Sequence, residues 1–132
     1  DFRYWWENVA NNKRLSPGGP PMPLLADGKP PTVEILDERR IRYSWTAPNP
    51  LFLPALAAPQ PTYIYFPAHY LRQFHESFAN ATELQAAVRA HRLKDWTALH
   101  EQKARLYRNE NPDLPTLEPW RNTTAPPSER FV

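Results

Sequence analysis

The chain has 132 residues, with 16 basic against 14 acidic side chains, 41% apolar and 13% aromatic residues, and no cysteine. That is the size of one ordinary domain with enough apolar surface for a core. It excludes disulfides, thiolate metal sites and a cysteine nucleophile, and it offers no basic arm for nucleic acid and no apolar run of membrane-spanning length. Proline is the compositional outlier: 17 residues, well above the usual level of about 5%. The prolines gather in 17–31, 48–67 and 112–127, so the sequence predicts short helices and strands joined by stiff loops.

Phe2, Trp5, Trp6 and Val9 fall at i, i+3, i+4 and i+7, which predicts an amphipathic helix with a core-facing stripe, stopped by Asn11 and Asn12; an aromatic ligand platform is the alternative reading of that face. Its position at the very start, without an initiator methionine, points to a piece of a longer polypeptide. Residues 16–31, "SPGGPPMPLLADGKPP", have no period and hold all three glycines. They read as a long surface loop, of the kind that is functional or mobile. Val33 and Ile35, then Ile41, Tyr43 and Trp45, alternate with polar residues on either side of a turn at Asp37–Arg39. Two antiparallel strands with one buried face follow, leaving Arg40 and Arg42 on the wet face, which reads as a solvated strand face or, as the alternative, a basic binding stripe.

Asn49-Pro50 can open a helix, but Pro54 conflicts with a helix started there. The segment is either a helix restarted near Pro54 or a turn leading to Ala55–Ala58. Thr62–Phe66 alternates as a short strand, and Pro67 opens a helix whose face carries Tyr70, Leu71, Phe74 and Phe78. Thr82 and Gln85 have capping-box spacing before a helix with Leu84, Val88 and His91 on one side. Asp95 caps another, carrying Trp96, Leu99 and Leu106. After Pro112 the chain reads as a loop with one extended piece at 117–121.

Catalytic and metal signatures are missing. His69, His75, His91 and His100 include no i, i+4 pair, and His100-Glu101 lacks the second histidine of a zinc helix. Gly18-Gly19 lacks the strand-to-helix context of a phosphate loop. No serine, histidine and acid arrangement stands out. Asn80-Ala81-Thr82 and Asn122-Thr123-Thr124 match the glycosylation triplet, a pattern short enough to arise by chance. The expectation is a non-enzyme with no cofactor and no metal, whose aromatic and polar surface suits binding.

The order of motifs is more specific than any one of them. "DFRYWWENV" precedes the hairpin "VEILDERRIRYSWTAPNPLFLPALA". Then come "YIYFPAHYLRQFH" and, after further helices, "NPDLPTLEPW". Over nearly all of residues 1–121 this resembles the family 5 extracellular solute-binding proteins, the peptide-binding receptors of bacterial ABC importers; Glu118 stands where that family usually has glycine. The resemblance implies an α+β fragment, several helices plus a short antiparallel hairpin, of a two-lobed α/β fold of the type II periplasmic-binding-protein kind. Residues 1–132 would be a single fragment, most of the small subdomain of the first lobe, with 112–132 returning toward the large lobe. The implied function is capture of extended peptides, or another small solute, between two lobes and delivery to ABC permease subunits in the membrane. The implied location is periplasmic or extracellular, with a lipid anchor on the full-length protein an open alternative. The fragment is expected to be monomeric and not to bind nucleic acid. Tyr63, Tyr65 and Trp120, with polar-tipped rings, are the candidate ligand-binding residues, with packing in the core or between the lobes as the other reading of each. Three alternatives stay open: a receptor of the same fold for an oligosaccharide, nickel chelate or haem; an interaction module docking through residues 16–31; and an enzyme fragment with its catalytic groups elsewhere.

Overall fold

The structure, a computed structural model, describes residues 1–105 and 111–117. They belong to two compact units, Asp1–Phe66 and Pro67–Val132.

The first unit begins with α1 (Phe2–Tyr4), which passes directly into a π-helical stretch, Trp5–Ala10. The expected face is rotated by this winding. An i→i+5 helix stacks residues five apart, so Tyr4, Trp5 and Ala10 are buried, Trp6 and Val9 sit half-buried beside them, and Phe2 turns outward. Asn11 closes the turn: its backbone N–H and its side-chain Nδ2 both donate to the Trp6 carbonyl, at 3.2 and 2.8 Å.

Residues 16–31 are not a free surface loop. A 3-10 turn at Met22–Leu24 drops Leu24 fully into the core with Trp5 and Ala10, and burying a leucine contributes about 2 kcal/mol. Two side chains from further along hold the segment there. Trp45 Nε1 donates to the Leu24 carbonyl at 2.7 Å, and Asn49 Nδ2 donates to the Pro23 carbonyl at 3.0 Å. The segment ends in a tight turn, with Ala26 and Lys29 exchanging both backbone hydrogen bonds at 2.9 Å. Asp27 (φ 49°) and Gly28 (φ 73°) occupy its two centre positions, the Asp-Gly pairing favoured where both central residues need positive φ.

The hairpin forms as its alternation predicts. Strands β1 (Thr32–Ile35) and β2 (Ile41–Ser44) are antiparallel, with Val33 opposite Tyr43 and Ile35 opposite Ile41. Glu34 and Arg42 pair across the outer face at 3.4 Å, and Arg40 meets Asp37 at 2.6 Å. These are exposed ion pairs on a solvated face, not a basic binding stripe.

The Pro54 question resolves in favour of a helix. Asn49 Oδ1 accepts the N–H groups of Leu51 and Phe52, and α2 runs Phe52–Leu56. Pro54 is then its third residue, where the N–H has no intrahelical acceptor in any case. Phe52 packs on the hairpin, with ring centroids 4.8 Å from Trp45 and 5.3 Å from Tyr43. No strand forms at 62–66. Residues 61–67 have no regular structure, and all of 62–66 are half-buried without alternation. A strand needs a ladder partner, and among the described residues the sheet contains β1 and β2 alone.

The second unit starts at Pro67 with α3 (Ala68–Leu71), which tightens into a 3-10 turn, Arg72–Phe74. The expected four-residue face is therefore cut short. Leu71 is buried, Tyr70 and Phe74 pack edge to face at 5.4 Å, and Phe78 lies beyond the turn, exposed. Helix α4 (Ala81–Ala90) is capped not by Thr82 but by Asn80, whose Oδ1 accepts from Thr82 N and Glu83 N. Leu84 is buried and Val88 half-buried as expected, whereas His91 is exposed just past the helix end. Helix α5 (Trp96–Ala104) has the expected cap, with Asp95 Oδ1 accepting from Ala98 N at 3.0 Å and from the Thr97 hydroxyl at 2.6 Å. Those two donors hold the Asp95 carboxyl below the usual carboxylate range. Trp96, Thr97, Leu99, His100 and Ala104 are all buried, so α5 is a core helix with no wet face of normal width. The expected positions Leu106 and most of 117–121 lie outside the described residues.

Candidate functional site

Tyr63 and Tyr65 are two residues apart in the segment that closes the first unit. Their rings meet edge to face at 6.2 Å, and Phe2, on the outward side of α1, adds a third ring 5.6 Å from Tyr65. The result is a row of three aromatic side chains, two of them half-buried and carrying hydroxyl tips. Such rings give a ligand large apolar area at low conformational cost, with a hydrogen bond available at the edge. Trp120, the third sequence-derived candidate, lies outside the described residues. Helical spacing placed Phe2 on the core-facing stripe, with an aromatic ligand platform as the alternative; the structure turns Phe2 outward as the helix passes into π winding.

The row stands on a firm base. Its neighbours Ile64 and Phe66 pack against the cluster of Trp5, Ala10 and Leu24, and Thr62 N donates to the Ala55 carbonyl at 2.9 Å. Tyr43 lies in the same unit. Its hydroxyl is buried with no hydrogen-bond partner among the described residues, and burial pushes its pKa up to about 12. A phenol so placed is a core group, unsuited to proton transfer near neutrality.

In the second unit the polar groups are structural. The Tyr70 hydroxyl donates to Asn111 Oδ1 at 2.8 Å, and Asn111 Nδ2 donates to the Lys103 carbonyl at 2.7 Å, tying Asn111 to α3 and α5. Burial, joined by the charge of Asp113, raises the Tyr70 pKa. His75 and His100 are both buried, their rings 5.8 Å apart and each against Trp96. Burial, with a smaller push from His75, lowers the His100 pKa to about 4. Among the described residues no group of three or more His, Asp or Glu side chains is placed to hold a metal ion, and no helix is long and apolar enough to cross a membrane.

The architecture is that of a small α+β unit pair, and the chain is similar to part of a solved binding protein, not an enzyme. That protein is an oligopeptide-binding protein, OppA: the superposition covers 96% of this chain and 19% of that one, with a TM-score of 0.74 and 29% sequence identity. The chain thus spans about a fifth of the length of the structure it matches. No family model matches the chain, and no curated protein matches it by sequence.

Proposed function

We propose that this chain is part of the substrate-binding component of an ABC-type oligopeptide importer, in the manner of the family 5 solute-binding proteins. The observation that carries this reading is the likeness to OppA, which extends over 96% of the chain at a TM-score of 0.74. At 29% identity, that likeness joins the ordered motifs "PNPLFL", "PAHYLRQFH" and "NPDLPTLEPW" to a structural match of the same stretch. On this reading residues 1–132 form most of the small subdomain of the first lobe of a two-lobed receptor, outside the cell or in the periplasm. The partners are an extended peptide between the lobes and permease subunits in the membrane.

The mechanism is capture without chemistry. Main-chain hydrogen bonds to the peptide give affinity that tolerates many sequences, and wet pockets receive the side chains. Tyr63, Tyr65 and Trp120 are the residues of this chain that contact ligand. The prolines act as scaffold: each fixes its own dihedral and lowers the entropy of the unfolded chain, so apolar loops keep one shape without a ladder to hold them.

Because a peptide clamp needs both lobes, residues 1–132 alone are expected to hold little or none of the affinity, while the complete receptor binds peptide. Tyr63→Ala, Tyr65→Ala and Trp120→Ala in the complete receptor should weaken peptide binding and leave its melting transition in place. Tight peptide binding by residues 1–132 alone would overturn the placement. Loss of the fold in the tyrosine variants would return those rings to a packing role.

A further inference from the structure

A cleft of about 420 Å3 opens in the second unit between α4 and the start of α5. Its apolar wall is Leu84 and Val88, one turn apart on α4, together with Trp96, the first residue of α5. Two exposed cations stand at its edge, Arg89 on α4 and Lys94 just before the Asp95 cap. Neither has a carboxylate within 4.0 Å among the described residues, although the charge of Lys94 helps lower the pKa of its neighbour Asp95, whereas Arg3, Arg40 and Arg42 each have a carboxylate partner within that distance. Asp95 is committed to its cap, its Oδ1 holding both the Ala98 N–H and the Thr97 hydroxyl. Glu76 completes the lining.

A cavity of this size lies within the range of small-molecule sites, which combine apolar walls with a few convergent polar groups. With two carboxylates also in the lining a polyanion gains little, whereas a ligand whose apolar body covers Leu84, Val88 and Trp96 needs only one charge contact, at Arg89 and Lys94. We propose that this cleft binds a small hydrophobic monocarboxylate, with its apolar body against Leu84, Val88 and Trp96 and its carboxylate between Arg89 and Lys94. The site lies within one unit and does not depend on the peptide-receptor reading.

The test is a titration of the 132-residue chain with 3-phenylpropionate, followed by amide shifts in two-dimensional NMR. Two probes separate the parts of the claim: 3-phenylpropan-1-ol has the body without the charge, and inorganic phosphate has the charge without the body. Saturable shifts confined to residues of the cleft, with a dissociation constant in the millimolar range or tighter, are expected for the carboxylate. Arg89→Gln with Lys94→Gln, both surface changes, should weaken that binding roughly tenfold, about threefold for each lost exposed charge pair. Val88→Glu, which places a like charge on the apolar wall, should abolish it. Shifts that do not saturate or that fall elsewhere would overturn the proposal. So would alcohol or phosphate binding as tightly as the carboxylate, or unchanged binding in the double variant.

Discussion

The two units of this chain solve the same problem with different means. Asp1–Phe66 holds 11 of the 17 prolines and all three glycines, while every histidine lies in Pro67–Val132. The first unit has one short hairpin and one five-residue α-helix after its opening turns. Its order comes from side chains that reach into loops: Trp45 and Asn49 hold the carbonyls around Leu24, and Asn49 also starts α2. The second unit uses regular helices with polar caps, Asn80 and Asp95, and buries two histidines, His75 and His100. A proline-rich segment is thus made rigid by satisfying its carbonyls from outside, where a helix satisfies its own. That difference decides where each unit should fail.

The largest effects are expected in the cores. Leu24→Ala and Leu99→Ala each remove a fully buried leucine and should each cost about 2–5 kcal/mol in denaturant unfolding. The comparison breaks if Leu24→Ala behaves as a loop substitution, within about 0.5 kcal/mol of the parent.

Acid should separate the units next. The unfolded chain takes up a proton on histidine near pH 6.5, whereas His100 in the folded unit stays neutral down to about 4. Between those values the unfolded state binds more protons. Stability is therefore full above about pH 6.5 and falls as the pH drops toward 4, by about 3 kcal/mol in total. Melts between pH 7 and pH 4, followed by reporters in each unit, should show the loss in the second unit alone. His100→Gln should flatten the slope even if it lowers the starting stability. An equal acid loss in that variant would contradict the assignment.

Capping residues give smaller and unequal effects. Asn80→Ala removes a helix cap and should cost about 1 kcal/mol. Asn49→Ala removes the hydrogen bonds to Leu51 and Phe52 and releases the Pro23 carbonyl, so about 2 kcal/mol is expected. Equal costs would show that Asn49 is only a helix start, with no part in holding the loop. The smallest change is Tyr43→Phe. It deletes a buried hydroxyl that has no hydrogen-bond partner among the described residues, and stability should stay level or rise by about 1 kcal/mol.

The parts of the fold legible in the sequence are those whose signal is local. Alternation at Val33, Ile35, Ile41 and Tyr43 marked the two antiparallel strands of the hairpin, and Asp95 marked a real cap. The rest depended on partners distant in sequence. Leu24 is core because Trp5 and Ala10 lie beneath it and Trp45 holds its carbonyl, and nothing within residues 16–31 announces that. The Asp27-Gly28 turn did carry a local signal that a reading of the segment as uniform loop passed over. At 62–66 alternation was present, but an alternating pattern makes a strand only where a neighbour offers a ladder. Asn80 outcompeted Thr82 because it precedes the first helical residue, where its oxygen reaches two free N–H groups. The buried pair of His75 and His100, 25 positions apart, has no sequence spacing that could reveal it. At the candidate site, Tyr63 and Tyr65 keep a ring contact although the strand expected to carry them does not form, while Phe2 joined them only as the first helix passes into π winding.

The most direct test of the receptor reading is a thermal-shift measurement on the complete polypeptide that carries this chain, against a mixed peptide pool, oligosaccharides and metal chelates. A ligand present at one hundred times its dissociation constant adds about 2.7 kcal/mol to the folded state, several degrees for most domains. Peptides alone should raise the transition. A rise with sugars or chelates but not peptides, or no rise with any of them, would contradict the peptide-receptor account.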